Sequence, residues 1–139
     1  MKKLLLILCG LCVMCNAYAG NNESQLNKDN NMAITVNLRY TGTGGNARSF
    51  AEEMMSSGTV DKIRAEKGNL RYEYYVSLDD PETVLLVDSW TDQAAIDAHH
   101  ASPMMTTIAE LREKYDLHMT VERYISTEAP KTEDRFIRK

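Results

Sequence analysis

Two adjacent histidines, His99 and His100, are the side chains of this sequence best suited to proton transfer or metal binding. Neighbouring residues on a helix point about 100° apart, so the two rings cannot share a single metal ion or substrate atom. The only other histidine is His118, and no two histidines have the i, i+4 spacing of a metal-binding helix. The pattern therefore argues against a metal site. It leaves one histidine as a candidate proton acceptor, because imidazole titrates near neutral pH.

The hydrophobic pattern predicts the secondary structure that must position these histidines. Period-two alternation predicts strands at 33–41, 69–78 and 116–126, and a mostly apolar run predicts a central strand at 83–90. Helical spacing of apolar residues predicts a helix between the first two strands, ending near Gly58, with a further turn or two before Gly68. A second helical region follows Thr91, which fits an N-cap, and Ser102-Pro103 fits the start of its continuation.

The order β-α-β-β-α-β is typical of the ferredoxin-like α+β fold, an antiparallel four-stranded sheet with helices on one face. The other face of such a sheet needs cover. The sequence contains no internal repeat that would supply this cover, and we therefore expect a homodimer.

The two ends of the sequence differ from its middle. Residues 1–19 have two lysines, an apolar run and an Ala-Tyr-Ala site, as in a secretory signal peptide, and a lipoprotein signal fits less well. Residues 20–31 resemble a flexible polar leader, 32–127 form the predicted domain, and 128–139 are a charged tail that Phe136 and Ile137 could anchor. The protein is thus expected to be exported, either periplasmic or secreted.

Cleavage after residue 19 would remove all three cysteines and both lysines of the signal. The mature chain would then have no thiol for a disulfide, a nucleophile or a metal. Its net charge would change from -4 to -6, because two positive and no negative charges are lost. This acidic balance disfavours nucleic acid and anionic membranes as partners.

Two segments of the sequence carry a resemblance to a known family. They are GNLRYEYYVSLDDPETVLLVDSW (68–90) and TDQAAIDAHHASPMM (91–105). An acid and a tryptophan end a strand at Asp88 and Trp90, a helical histidine follows at His99, and HxxSP continues through Pro103. In these features the chain resembles the antibiotic biosynthesis monooxygenase family of dimeric α+β barrel proteins, which includes quinol monooxygenases. The resemblance covers about residues 33–126.

The resemblance implies a cavity between sheet and helices in each subunit. It also implies oxidation of a quinol or another phenolic aromatic by dioxygen, with no metal, flavin or other cofactor. Such a reaction needs an apolar cavity, a base or hydrogen-bond partner for the hydroxyl group, and room for dioxygen.

Two residues are candidates for catalysis by this resemblance. His99 has the family position of the proton acceptor, and its plain alternative is a core histidine bonded to backbone. Asn37, on the first strand opposite Val36 and Leu38, could hold a hydroxyl or an oxygen intermediate. Its alternative is a polar residue between subunits. His100 points elsewhere on the helix and is expected at the surface or in a dimer contact.

Further side chains are candidates for binding the substrate. Trp90 could form a flat wall for an aromatic ring, and Tyr72 and Tyr74 share a strand face that could line the same cavity. Asp88 could orient a histidine or a water, and Met104 could adapt to a ligand. Core packing, or a structural hydrogen bond for Asp88, is the alternative for each.

Two other functions remain open at this stage. The first is a non-catalytic dimer that binds a small apolar or aromatic ligand in the same cavity. The second is haem handling, because haem-degrading relatives share the fold, the strand asparagine and the tryptophan. Their iron-binding histidine lies further along the second helix, and the corresponding stretch here, 106–115, contains no histidine. Haem cleavage is therefore the less favoured of the two.

Overall fold

The structure is a computed structural model that describes residues 32–138. The predicted signal peptide and polar leader lie outside the described residues. The strands are β1 (Ile34–Thr41), β2 (Asn69–Val76), β3 (Thr83–Trp90) and β4 (His118–Ile125). The helices are α1 (Asn46–Ser56), α2 (Thr59–Arg64), α3 (Gln93–His100) and α4 (Met104–Lys114), and a 3-10 helix, Lys131–Phe136, follows near the C-terminus.

The four strands form one antiparallel sheet in the order β2-β3-β1-β4. β1 lies inside the sheet, with Leu38 opposite Leu86 of β3 and Val121 of β4. This topology confirms the predicted ferredoxin-like α+β fold. It also confirms that β3 is a central strand, which explains why its sequence is apolar on both faces.

The main core lies between the sheet and the helices. Phe50 and Met54 of α1 and Ile63 of α2 are fully buried against one sheet face. The same face of the sheet contributes Leu86 and Trp90 of β3, also fully buried. Apolar side chains at helical spacing and alternate strand positions therefore meet in one layer.

The start of α3 differs in detail from the prediction. Asp92, rather than Thr91, is the N-cap, and its carboxylate accepts a hydrogen bond from the backbone N–H of Ala95 at 2.9 Å. An aspartate reaches this N–H well, which makes it as good a cap as threonine. Similarly, Pro103 rather than Ser102 immediately precedes α4.

On the second sheet face, no helix of residues 32–138 is packed. Tyr75 of β2 and Tyr124 of β4 are about half exposed there, and Leu85 and Val87 of β3 are partly buried between their neighbours. We call this surface, formed by the odd-numbered residues of β1 and β3, by Arg71, Glu73 and Tyr75 of β2 and by the even-numbered residues of β4, the open face. Its exposed aromatic groups agree with the reasoning behind the expected homodimer, which itself stays a prediction.

The C-terminal segment does not return to the core. Phe136 is 73% exposed and Ile137 is 53% exposed. Neither side chain is covered by the described part of the chain, so the suggestion that they anchor the tail stays a prediction without support from this structure. Among the described residues, no helix combines the length and apolar character needed to span a bilayer.

Candidate active site

A cavity of about 290 Å³ lies on the helix-covered face of the sheet, between the sheet and helices α3 and α4. Most of its walls are apolar or aromatic, which suits a ring-shaped ligand. Its lining residues are Val36, Leu38, Tyr40, Tyr72, Leu86, Asp88, Ile96, His99, His100, Met105, Ile108, Arg112, Met119, Val121 and Arg123.

His99 reaches this cavity from α3. Ala95, Ile96 and His99 form the buried stripe of this helix, so its packing on the sheet directs the imidazole inward. The ring stacks on Trp90, with centroids 4.9 Å apart and planes inclined by 30°. His99 is therefore a buried histidine with a fixed ring plane.

The imidazole is also fixed by a carboxylate. Nδ1 of His99 lies 2.6 Å from Oε2 of Glu66, and both side chains are largely buried. A carboxylate accepts a hydrogen bond, so Nδ1 carries the proton and donates it. In the neutral ring the lone pair is then on Nε2, the nitrogen left for a ligand. The plain alternative was a core histidine hydrogen-bonded to backbone. The structure instead gives His99 a side-chain partner, Glu66.

Glu66 was not among the residues predicted for the site. It lies in the connection between α2 and β2, 33 positions before His99. Gly68 brings this connection against α3, and its carbonyl accepts a hydrogen bond from the N–H of Thr91 at 2.8 Å. No local signal in the charged stretch AEKG (65–68) distinguishes Glu66 from a solvated loop residue.

Asp88 is the one carboxylate among the lining residues. It is only 8% exposed, and its Oδ1 has no hydrogen-bond partner among the described residues. Burial raises the pKa of Asp88 to about 6, the nearby indole N–H of Trp90 opposes this shift, and the charge of Glu66 adds to it. Asp88 therefore places a carboxylate at the wall of the cavity, while its Oδ1 is enclosed by the surrounding protein.

Tyrosines surround this carboxylate. Burial raises the pKa of Tyr40 to about 12, with the guanidinium of Arg112 lowering it in part, and burial raises the pKa of Tyr72 well above its usual value. Both therefore keep their protons at neutral pH. They offer the cavity neutral hydroxyl groups beside the Asp88 carboxylate.

Two of the expected aromatic walls lie behind the cavity rather than in it. Trp90 is fully buried under the His99 ring and is absent from the lining. Tyr74 packs on Phe50 and Tyr72, with centroids 6.1 and 5.8 Å apart, and also does not line the cavity. Both residues support the wall through packing, because Trp90 is covered by α3 and Tyr74 by α1.

Two further predictions need correction. Asn37 lies on the open face. Side chains alternate along a strand, and those of Val36 and Leu38 line the cavity, so that of Asn37 points to the other face. The structure therefore does not bring Asn37 and His99 together in one chain. Met105 rather than Met104 lines the cavity, because one step along α4 changes the direction of the side chain.

His100 is exposed, as expected for a surface residue, but its ring also borders the mouth of the cavity. Its centroid lies 5.9 Å from that of His99. Within residues 32–138, no three His, Asp or Glu side chains are grouped as they would be to hold a metal ion. Oxidation without a metal or another cofactor stays a prediction.

Comparison with known proteins identifies the family. Residues 33–111, more than half of the chain, match the sequence profile of the family described as antibiotic biosynthesis monooxygenase. The chain belongs to this family. No curated protein matches it in sequence.

Solved structures of similar fold bear related names. A protein of Deinococcus radiodurans, provisionally named an antibiotic biosynthesis monooxygenase, has a TM-score of 0.61 and 18% identity over 70% of this chain and 96% of its own. A similarly named protein of Caulobacter crescentus has a TM-score of 0.62 and 14% identity over 76% of this chain and 99% of its own. A Bacteroides thetaiotaomicron protein, suggested to be an oxidoreductase, has a TM-score of 0.61 and 14% identity over 69% of this chain and 99% of its own. Membership of the family indicates a monooxygenase-like enzyme, and these structures share its fold.

Proposed function

We propose that the chain oxidises a quinol or another phenolic aromatic with dioxygen, without a metal or organic cofactor. The observation that carries the proposal is the fixed imidazole of His99. Glu66 holds its Nδ1, Trp90 supports its ring, and its Nε2 is left for a hydroxyl group in an apolar cavity.

The proposed reaction begins with a proton transfer. Nε2 of His99 accepts the proton of the substrate hydroxyl, and the Glu66 carboxylate stabilises the imidazolium that forms. The electron-rich phenolate then reduces dioxygen. One oxygen atom forms a bond to a ring carbon, and the other leaves as water with two hydrogens of the substrate, so the ring becomes a quinone. The apolar walls shield the intermediate from solvent.

We also propose that two copies associate through the open face. The half-exposed Tyr75 and Tyr124 and the partly buried Leu85 and Val87 support this idea, because they are apolar groups that a second copy would cover. In this arrangement Asn37 lies between subunits, which was the alternative to its catalytic role. The predicted signal peptide adds export, to the periplasm or medium, to the proposal.

Oxygen uptake by the purified mature protein with a panel of hydroquinones and naphthols tests the proposed reaction. In His99→Asn, the amide of the new side chain can still donate to Glu66, but the nitrogen corresponding to Nε2 is lost. We expect turnover to fall by about 10²-fold or more, the usual contribution of a general base. Glu110→Gln is the control, because Glu110 is exposed on α4, away from the open face, and does not line the cavity.

The possible outcomes separate the proposal from its alternative. Loss of uptake in His99→Asn, with thermal melting and the control unchanged, supports the reaction. Equal uptake by the variant and the wild type removes the role of His99. If no phenolic compound is consumed but a small ligand is retained in native mass spectrometry, the protein is a binder and not an enzyme.

A further inference from the structure

Two arginines at the mouth of the cavity lack an anionic partner. Arg112 and Arg123 both line the cavity, and neither takes part in an ion pair within residues 32–138. The guanidinium of Arg123 donates to the side-chain amide of Gln93, and that of Arg112 donates to the sulfur of Met119 at 3.6 Å. Both of these partners are neutral, so two positive charges remain uncompensated.

Asp88 marks the opposite side of the same cavity. In the sheet register, Val36 of β1 lies opposite both Asp88 and Arg123, so the three residues form one row across the sheet. Two strand spacings therefore separate Asp88 from Arg123, roughly 10 Å between their backbones. Asp88 belongs to the His99 side of the cavity, because Tyr72 pairs with Asp88 and its ring lies 6.4 Å from that of His99.

These charges make the two ends of the cavity different, one negative and the other positive. The Asp88 carboxylate at the cavity wall can accept a hydrogen bond from a hydroxyl group, but its charge repels an anion. The two arginines attract an anion and offer planar donor groups for a carboxylate. The apolar residues between these ends, Val36 and Leu38 among them, fit the flat face of a ring.

We propose that the substrate is a phenolic acid, an aromatic ring with a hydroxyl at one end and an anionic group such as a carboxylate at the other. The hydroxyl meets Asp88 and His99, and the anionic group meets Arg112 and Arg123. This assignment rests on the proposed function, in that the reacting ring occupies the same cavity. It goes further by making the two arginines determinants of specificity.

Equilibrium binding of a matched pair of compounds, 4-hydroxybenzoate and its methyl ester, tests the assignment without turnover. Hydrogen bonds to charged groups contribute about 1.5–3 kcal/mol, so calorimetry should show the acid binding about tenfold or more tightly than the ester. The preference should disappear in the double variant Arg112→Gln/Arg123→Gln. It should persist in Arg48→Gln, because Arg48 lies on α1 in an exposed pair with Glu52.

Equal binding of acid and ester overturns the proposal, as does failure of the acid to bind. A preference that survives in the folded double variant also overturns it. If the double variant does not melt cooperatively, the preference for acid over ester is measured in Arg123→Gln alone. Arg123 is exposed, so its loss leaves the core intact. Oxygen uptake is measured separately. Acid preference without uptake contradicts only the proposed reaction, whereas uptake without acid preference contradicts only the phenolic acid.

Discussion

Glu66 leaves Nε2 of His99 as the nitrogen that can meet a substrate, because its carboxylate holds Nδ1 at 2.6 Å. In Glu66→Gln the amide can either accept from Nδ1–H or donate to Nδ1, so the tautomer with the proton on Nε2 becomes accessible. We expect turnover to fall by about 10²-fold with little change in KM, because the ring stays in place but loses the charge that stabilises its protonated form and is partly in the wrong tautomer.

Oxygen uptake together with the ¹⁵N chemical shifts of the imidazole measures this effect. The shifts report the tautomer, which a merely structural role of Glu66 would leave unchanged. Glu52→Gln is the control, since Glu52 lies in an exposed pair on α1. Unaltered turnover in a variant whose tautomer has changed would contradict the role of Glu66.

Asp88 makes stability depend on pH. Its pKa is about 6 in the folded protein, against an ordinary value of 3.8. Between these values the folded state binds more protons than the unfolded state, so the free energy of unfolding falls as pH rises. We expect Asp88→Asn to raise it by roughly 2–3 kcal/mol at pH 7.5, because each pKa unit corresponds to about 1.4 kcal/mol.

Urea unfolding of the wild type and Asp88→Asn at pH 3.5 and pH 7.5 measures this difference. At pH 3.5 the carboxyl is mostly protonated in both states, and the two proteins should be about equally stable. A stability gain of the same size at both pH values would show that something other than the buried charge is responsible.

Part of the candidate site could be predicted from the sequence. Asp88 and Tyr72 line the cavity because strand alternation is regular, and the family pattern identified the histidine that reaches it. Glu66 could not be found, since its contact with His99 depends on how a loop meets a distant helix. The choice between Met104 and Met105 depends on the rotation of α4, which a broad apolar stripe leaves undetermined.

At the level of the elements, Gly68 controls how the α2–β2 connection meets α3. Its φ is +89°, and a Cβ at this position would lie 2.6 Å from Cβ of Ala95 and 2.7 Å from Oγ1 of Thr91. Gly68→Ala should therefore lower the free energy of unfolding by about 2–4 kcal/mol, the sum of left-handed strain and overpacking. It should also separate Glu66 from His99.

Thermal and urea unfolding measure the loss, with Gly44→Ala as the control. Gly44 also has a positive φ, +63°, but a Cβ added there would meet no atom within 4 Å. The control should therefore cost only about 1 kcal/mol of strain. Equal losses in the two variants would show that strain alone, without the contact to α3, limits position 68.

The elements themselves were well predicted, because their hydrophobic periods are clear. β3 was predicted at the bounds it has in the structure, and the break at Gly58 and the short helix after it also agree. The N-caps were less predictable. Thr91 and Asp92 are adjacent residues that both cap well, and only tertiary packing decides between them.

For the whole molecule, the open face makes association with a second copy testable. Val87 lies on this face and is partly buried, with Glu73 opposite it on β2. In Val87→Lys the new charge would be placed beside the apolar Leu85 and would disrupt an interface there, while Glu73 offers it a partner in the single chain. We expect sedimentation to give twice the mass of one chain for the wild type and the mass of one chain for the variant.

Ser49→Lys provides the control, because Ser49 is exposed on α1, away from the open face. It should keep the mass of the wild type. A wild-type mass equal to that of one chain would contradict the proposed dimer. A Val87→Lys protein that remains a dimer would place the interface on another surface.

The edge strand β4 gives the cavity a wall that differs from the others. Met119, Val121 and Arg123 line the cavity from β4, yet every side chain of this strand is exposed and β1 is its only neighbour among the described strands. Local opening requires least free energy where few buried contacts must break. In a single chain, the amide hydrogens of β4 should therefore exchange with water well before those of β3. The cavity can then widen for a larger ligand by movement of one strand, while the core around Phe50 and Trp90 stays closed.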